Sequence, residues 1–133
     1  MAYTHRKVLV IDDNEIDRYV AKLVMENYDF AEKVICLETP MEALELLKEH
    51  EANPDELPDL IFLDINMPIM SGFDFLNEYQ NLSETIQKHC IIMMLTTSLN
   101  DDDRERAKEN KFVYSFLNKP LDKEKLEKIA DQL

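Results

Sequence analysis

Lys7-Val8-Leu9-Val10-Ile11-Asp12-Asp13 is an apolar run that stops on two carboxylates. The same figure recurs twice: Leu60-Ile61-Phe62-Leu63 stops on Asp64, and Tyr114-Ser115-Phe116-Leu117 on Asn118-Lys119-Pro120. A strand buried on both faces of a parallel sheet reads as a short continuous apolar run. Ligands of open α/β sheets bind just past the carboxyl ends of such strands. If the three runs lie in one sheet, Asp12, Asp13, Asp64 and the Lys119 ammonium meet at one edge.

The intervening sequence supplies the helices such a sheet needs. Ile16, Val20, Leu23 and Val24 form one stripe of a helix from about Asn14 to Tyr28. A second β-rich run spans Lys33 to Leu37. Thr39-Pro40-Met41-Glu42 then combines an N-cap, a proline at the first helical position and a capping-box glutamate. The helix it opens turns Leu44 and Leu47 inward. Asn66-Met67-Pro68-Ile69-Met70-Ser71-Gly72 reads as a loop, after which Phe73, Leu76 and Tyr79 begin a third helix. Ile91 to Leu95 is a fourth strand, Asn100 caps a helix to about Asn110, and Val113 to Leu117 is a fifth strand. Asp122 caps a last helix with Leu126, Ile129, Ala130 and Leu133 on one stripe. Five strands alternating with five helices predict right-handed crossovers, a parallel sheet and helices on both faces. The whole span, 1–133, is expected to be a single domain with no linker or repeat.

Bulk properties narrow the function. With 15 basic and 28 acidic residues in 133, the net charge is −13. That opposes sequence-independent binding to nucleic acid or anionic lipid, and fits a cation site, a partner with a basic face, or simply a soluble acidic protein. No apolar run reaches membrane-spanning length, and the N-terminus has no signal-peptide core. Cys36 and Cys90 are far apart and sit in or beside apolar runs, so free thiols and a reducing, cytoplasmic compartment are expected. Gly72 is the only glycine. Neither a dinucleotide fingerprint nor a phosphate-cradling P-loop can be written with one glycine.

Adjacent carboxylates at a strand end repel unless neutralised. Mg²⁺ neutralises them well, since it takes hard oxygen ligands and typically one or two carboxylates plus a phosphate. Asp12 and Asp13 alone also fit a solvated loop whose acids favour a helix N-terminus; the third acid, Asp64, favours the metal. A carboxylate can also attack phosphorus to give an aspartyl phosphate, which makes Asp64 the candidate nucleophile. Phosphoryl transfer needs positioning and positive charge more than covalent chemistry. Mg²⁺ and Lys119 would supply the charge, and Thr96 could donate a hydrogen bond.

Ile11-Asp12-Asp13-Asn14, Asp64-Ile65-Asn66-Met67-Pro68, Gly72, Leu95-Thr96-Thr97-Ser98 and Lys119-Pro120, in this order and at this spacing, resemble the receiver domain of two-component response regulators, single-domain and chemotaxis-regulator-like. The resemblance implies a flavodoxin-like sheet of order 2-1-3-4-5 and phosphorylation of Asp64 by a sensor histidine kinase. It implies Mg²⁺ held by Asp12, Asp13, Asp64 and the backbone carbonyl of Asn66, with Thr96 and Lys119 contacting the phosphoryl group. It implies a cis Lys119-Pro120 bond, and it makes Phe116 the switch aromatic that follows Thr96, although Phe116 also reads as an ordinary strand aromatic. Asn66 and Ser98 would set the phosphoryl lifetime. Such a domain phosphorylates and dephosphorylates itself rather than acting as an enzyme on external substrates.

Three features depart from the common pattern. The connection Glu51 to Pro58 is long. Between Asp101 and Asn110 only Ala107 is apolar, so that helix is expected to be poorly anchored, mobile and part of the output face. No output domain is expected after Leu133, which leaves a monomer or weak dimer that signals to a separate protein target. It could instead pass its phosphoryl group to a histidine phosphotransfer protein or act as a phosphate sink. Other classes fit less well. A flavodoxin-like electron carrier needs a polar phosphate cradle where Asp12-Asp13-Asn14-Glu15 stands. A haloacid-dehalogenase-type phosphatase needs a second acid in Asp64-Ile65-Asn66, and a receiver-shaped module that is never phosphorylated has no need of the full site.

Overall fold

The computed structural model describes residues 5–97 and 99–132. Strands β1 (His5–Ile11), β2 (Ala31–Leu37), β3 (Leu60–Leu63), β4 (Ile91–Thr96) and β5 (Val113–Asn118) pair in parallel in the order β2-β1-β3-β4-β5. The expected order and sense hold. The described residues form α1 (Glu15–Asn27), α2 (Pro40–Glu49), α3 (Gly72–Tyr79), α4 (Glu84–His89), α5 (Asp101–Glu109) and α6 (Lys123–Gln132). The helix count therefore differs from the expected five, because the third crossover carries two helices. Gln87 makes that break: its amide donates to the carbonyls of Tyr79, Gln80 and Leu82 at 3.2, 3.1 and 3.1 Å, and so satisfies the end of α3 while standing on α4.

Side-chain alternation along each strand divides the core into two layers. Val8, Val10, Leu60, Phe62, Met93 and Leu95 pack with Ala21 and Met25 of α1 and with Leu126 and Ile129 of α6. Leu9, Ile11, Ile61, Leu63, Ile92 and Met94 face α2, α3 and α4. All four residues of β3 are buried, since β3 is the central strand and is covered on both sides.

The stripe of α1 is rotated from the expected one. Ala21 and Met25 are fully buried and Val24 is half-buried, while Ile16 is 71% and Leu23 41% exposed. Apolar residues surround this helix, so periodicity alone could not select its inner face. Packing against the sheet selects the face with the small Ala21, which lets the backbone approach. The rotation places Asp17 on the inner stripe, four residues before Ala21, at the helix end that overlooks the strand ends.

The long corner before β3 contains a single turn of 3-10 helix, Pro54–Glu56. Lys7 pins it by donating to the Glu56 carbonyl at 2.7 Å and to its carboxylate at 3.3 Å. Asp59 accepts from the backbone N–H groups of Arg6 and Lys7 at 3.0 Å each. These contacts lie at the amino ends of the strands, away from Asp64.

Helix α5 buries Ala107 alone. Two cationic contacts add to it: the Arg104 guanidinium lies 5.4 Å from the Phe116 ring and the Arg106 guanidinium 3.9 Å from the Phe73 ring. Each such contact is worth about 0.5–1 kcal/mol at an exposed site, less than burying a Leu or Ile side chain. The amides of α5 should therefore exchange with solvent well before those of α1 in native-state hydrogen exchange. Equal protection of the two helices would contradict this.

Candidate functional site

The carboxyl ends of β1, β3, β4 and β5 are held in one row by backbone hydrogen bonds. Asp64 N–H donates to the Ile11 carbonyl at 3.0 Å, Asp12 N–H to Leu37 at 3.1 Å, and Lys119 N–H to Thr96 at 2.9 Å. Asp12, Asp64 and Lys119 thus each sit one residue beyond a strand, and Thr96 is the last residue of β4. Asp12, Asp64 and Thr96 are buried, and Asp13 is exposed. The loop from β1 to α1 is closed by Asn14, whose N–H donates to the Asp12 carboxylate at 2.9 Å and whose side chain caps α1 by accepting from Asp17 N–H at 2.9 Å. Arg18 donates to the Asp12 carbonyl at 2.8 Å, which braces the loop from the next turn.

Lys119 reaches across from the β5 end. Its Nζ lies 2.5 Å from Asp12, 2.7 Å from Asp17 and 3.4 Å from Asp64. Burial opposes its charge, yet the hydrogen bonds with Asp12 and Asp17 and the Asp64 charge outweigh that and raise its pKa above the ordinary lysine value. The Lys119-Pro120 peptide bond is cis, as expected. Lys125 of α6 holds this loop by donating to the carbonyls of Asn118 and Pro120 at 2.6 and 2.7 Å. The Asp64 carboxyl titrates above the usual aspartate value because it is buried. The Lys119 charge, the Thr96 hydroxyl and the Ile65 N–H oppose the shift, and Asp12 adds to it. The Ile65 bond, 2.8 Å to Oδ1, fixes one carboxylate oxygen and leaves the other toward Lys119.

The loop after Asp64 folds back on itself. Met70 N–H donates to the Pro68 carbonyl at 2.8 Å, closing a three-residue turn with Ile69 at φ 72°. Ser71 and Asp74 form a full capping box, each side chain accepting from the other's backbone N–H, at 3.2 and 3.0 Å. Gly72 N–H donates to the Ile65 carbonyl at 2.8 Å. A Cβ at Gly72 would lie 2.3 Å from the Asp64 carbonyl oxygen. The single glycine is there because α3 starts against the backbone of Asp64.

Asp12, Asp13 and Asp64 each offer a carboxylate oxygen, and these oxygens lie within 4.8 Å of one another. An all-oxygen set of this kind suits a hard divalent ion such as Mg²⁺. Asn66 stands on the loop two residues beyond Asp64, with its side chain exposed. Phe116 is half-buried on β5 beneath the Arg104 guanidinium. The expectation for Ser98 lies outside the described residues. Sequence reasoning missed Asp17, Arg18 and Lys125. Asp17 and Lys119 are 102 residues apart, and nothing local in either segment signals the pair.

Comparison with known proteins bears on this arrangement directly. The response regulator receiver domain family matches residues 8–131. The probable methanogenesis regulatory protein FilR2 of Methanothrix harundinacea is 30% identical over 95% of this chain and 79% of its own length. Other curated relatives are longer, this chain spanning about half of their length or less, and two of them are named as histidine kinases. A two-component response regulator of Cytophaga hutchinsonii superimposes with a TM-score of 0.88 over 96% of both chains at 23% identity, a likeness of fold. The phosphorylated cyanobacterial phytochrome response regulator RcpA superimposes with a TM-score of 0.75 at 27% identity, over 96% of this chain and 90% of its own. A family match from the first strand to the last helix, joined to a relative aligned over most of its length, means that this chain belongs to the response regulator receiver domains of two-component signalling.

Proposed function

We propose that the protein accepts a phosphoryl group on Asp64 from the phosphohistidine of a histidine kinase, and that a partner protein reads the resulting change of conformation. The observation that carries this reading is the flanking of one buried carboxylate. The Asp64 carboxylate stands in a cluster with those of Asp12 and Asp13, and the Lys119 ammonium lies 3.4 Å from it. In the step, an Asp64 oxygen attacks phosphorus. The bond from phosphorus to the donor imidazole nitrogen breaks with its electron pair on that nitrogen, and imidazole leaves.

Lys119 offers its positive charge to the phosphoryl oxygens, and the Thr96 hydroxyl, which already bonds Asp64, is in reach to donate to one of them. Asp12, Asp13, Asp64 and the Asn66 carbonyl would hold Mg²⁺, which would supply the second cation that in-line transfer requires. The cluster calls for one. Asp12, Asp13 and Asp64, when ionised, outnumber Lys119 by two charges, and Asp17 beside them adds a third. The chain acts on itself in this reading, in the cytoplasm, where both of its cysteines are free thiols.

Thr96 and Phe116 are the switch pair we infer. They sit on adjacent strands, with Thr96 opposite Asn118 and Met94 opposite Phe116. Phosphorylation would have to favour the active arrangement by about 5.5 kcal/mol to take it from 1% to 99% of molecules. Incubation with acetyl phosphate and Mg²⁺ should add the mass of one phosphoryl group to the wild type and none to Asp64→Asn. A wild type that stays unmodified with any donor would overturn the proposal.

A further inference from the structure

The ammonium of Lys119 has three protons to donate and three carboxylates around it: Asp12, Asp17 and Asp64. A phosphoryl oxygen arriving on Asp64 must therefore displace one of them. Asp12 and Asp64 have side chains only 4% and 9% exposed, and both belong to the cluster that suits a metal. Asp17 is 34% exposed and stands outside that cluster. Its carboxylate can return to water at little cost, whereas the other two cannot.

We propose that Asp17 is a positioning residue that holds the Lys119 ammonium toward α1 in the resting protein and releases it to the phosphoryl group. The proposal rests on the phosphoacceptor reading of Asp64. At 2.7 Å against 3.4 Å, Lys119 lies closer to Asp17 than to Asp64. The rotation of α1 that buries Ala21 and Met25 is what aims position 17 at the strand ends. An acid in a first helical turn also has a purely local reason to be there, the favourable helix dipole. Glu15 provides the matched control: it has the same charge in the same first turn, it is exposed, and it is not among the partners of Lys119.

The test compares Asp17→Asn with Glu15→Gln. Phosphorylation by acetyl phosphate at saturating Mg²⁺ is timed by intact mass, and the Lys119 side-chain NMR signal is read in protein carrying ¹³Cε-lysine, assigned by its loss in Lys119→Met. Asp17→Asn should be phosphorylated about three-fold faster or more, as loss of a partly exposed ion pair allows, and its Lys119 signal should shift. Glu15→Gln should keep the wild-type rate and signal. Equal rates in the two variants, a slower Asp17→Asn, or an unmoved Lys119 signal would overturn the role of Asp17 while leaving Asp64 as acceptor. A wild type that takes no phosphoryl group would remove the function itself, and the role of Asp17 with it.

Discussion

Gly72→Ala should lower the melting temperature by about 4–12 °C and slow phosphorylation of Asp64. The sign is decided by two opposed effects. Helix propensity favours alanine over glycine by up to about 1 kcal/mol in a helix interior, and less in a first turn. Against that, the new Cβ would lie 2.3 Å from the Asp64 carbonyl oxygen and 3.0 Å from the Ile65 Cα. Both are backbone atoms, so no rotamer change relieves the contact. Overpacking of this kind costs about 1–3 kcal/mol, which in a domain of this size corresponds to the stated loss in melting temperature. The displaced atoms carry Asp64, the proposed acceptor, so stability and phosphorylation should fall together. An equal or higher melting temperature would show that the start of α3 can move freely away from Asp64.

Lys119→Met should cost about 2–4 kcal/mol of stability at neutral pH without metal, and Mg²⁺ should return part of it. The substitution leaves the buried carboxylates of Asp12 and Asp64 facing each other without a counter-charge. Removing one partner of a buried pair is far more damaging than the net worth of the pair, because the remaining charge stays desolvated. The cost should shrink as the pH falls and the Asp64 carboxyl, whose pKa burial raises, takes up its proton, since the neutral form no longer needs the ammonium. A divalent ion that binds the folded state alone adds stability in proportion to the logarithm of its concentration above its dissociation constant. Urea denaturation with and without Mg²⁺ gives both quantities. A variant as stable as the wild type in the absence of metal would contradict the claim that Lys119 neutralises the cluster.

The parts of the site that the sequence announces are those fixed by strand geometry. Asp12, Asp64, Thr96 and Lys119 each follow or close an apolar run, and a parallel sheet brings such positions to one edge. The runs are legible because β1, β3 and β4 are buried on both faces, which removes any ambiguity over which side chains face inward. What escaped is what depends on contacts between distant segments. The inner face of α1 is set by packing of Ala21 and Met25, although Ile16 and Leu23 are the more apolar choice by sequence. Asp17 acquires its partner only through that rotation. Helix α4 is six residues long, too short to show periodicity, and its sole buried residue is Ile86. The capping box of Ser71 and Asp74 was present in the sequence but was masked by a loop-like composition.

The two expectations about the output side rest on one physical feature. Helix α5 and Phe116 are joined through Arg104, whose guanidinium lies over the ring and reaches the Asn118 side chain at 3.5 Å. A helix attached to β5 by a cation over a ring, rather than by a buried apolar stripe, can shift without opening the core.

The central claim is that Asp64 is the residue that carries the phosphoryl group. An acyl phosphate is reduced by borohydride to an alcohol with release of phosphate, so the modified aspartate becomes homoserine and can be located by peptide mapping. After treatment with acetyl phosphate and Mg²⁺, followed by borohydride, homoserine should appear at position 64 alone, and chelation of the metal beforehand should prevent it. Homoserine at another aspartate, or at none, would contradict the account.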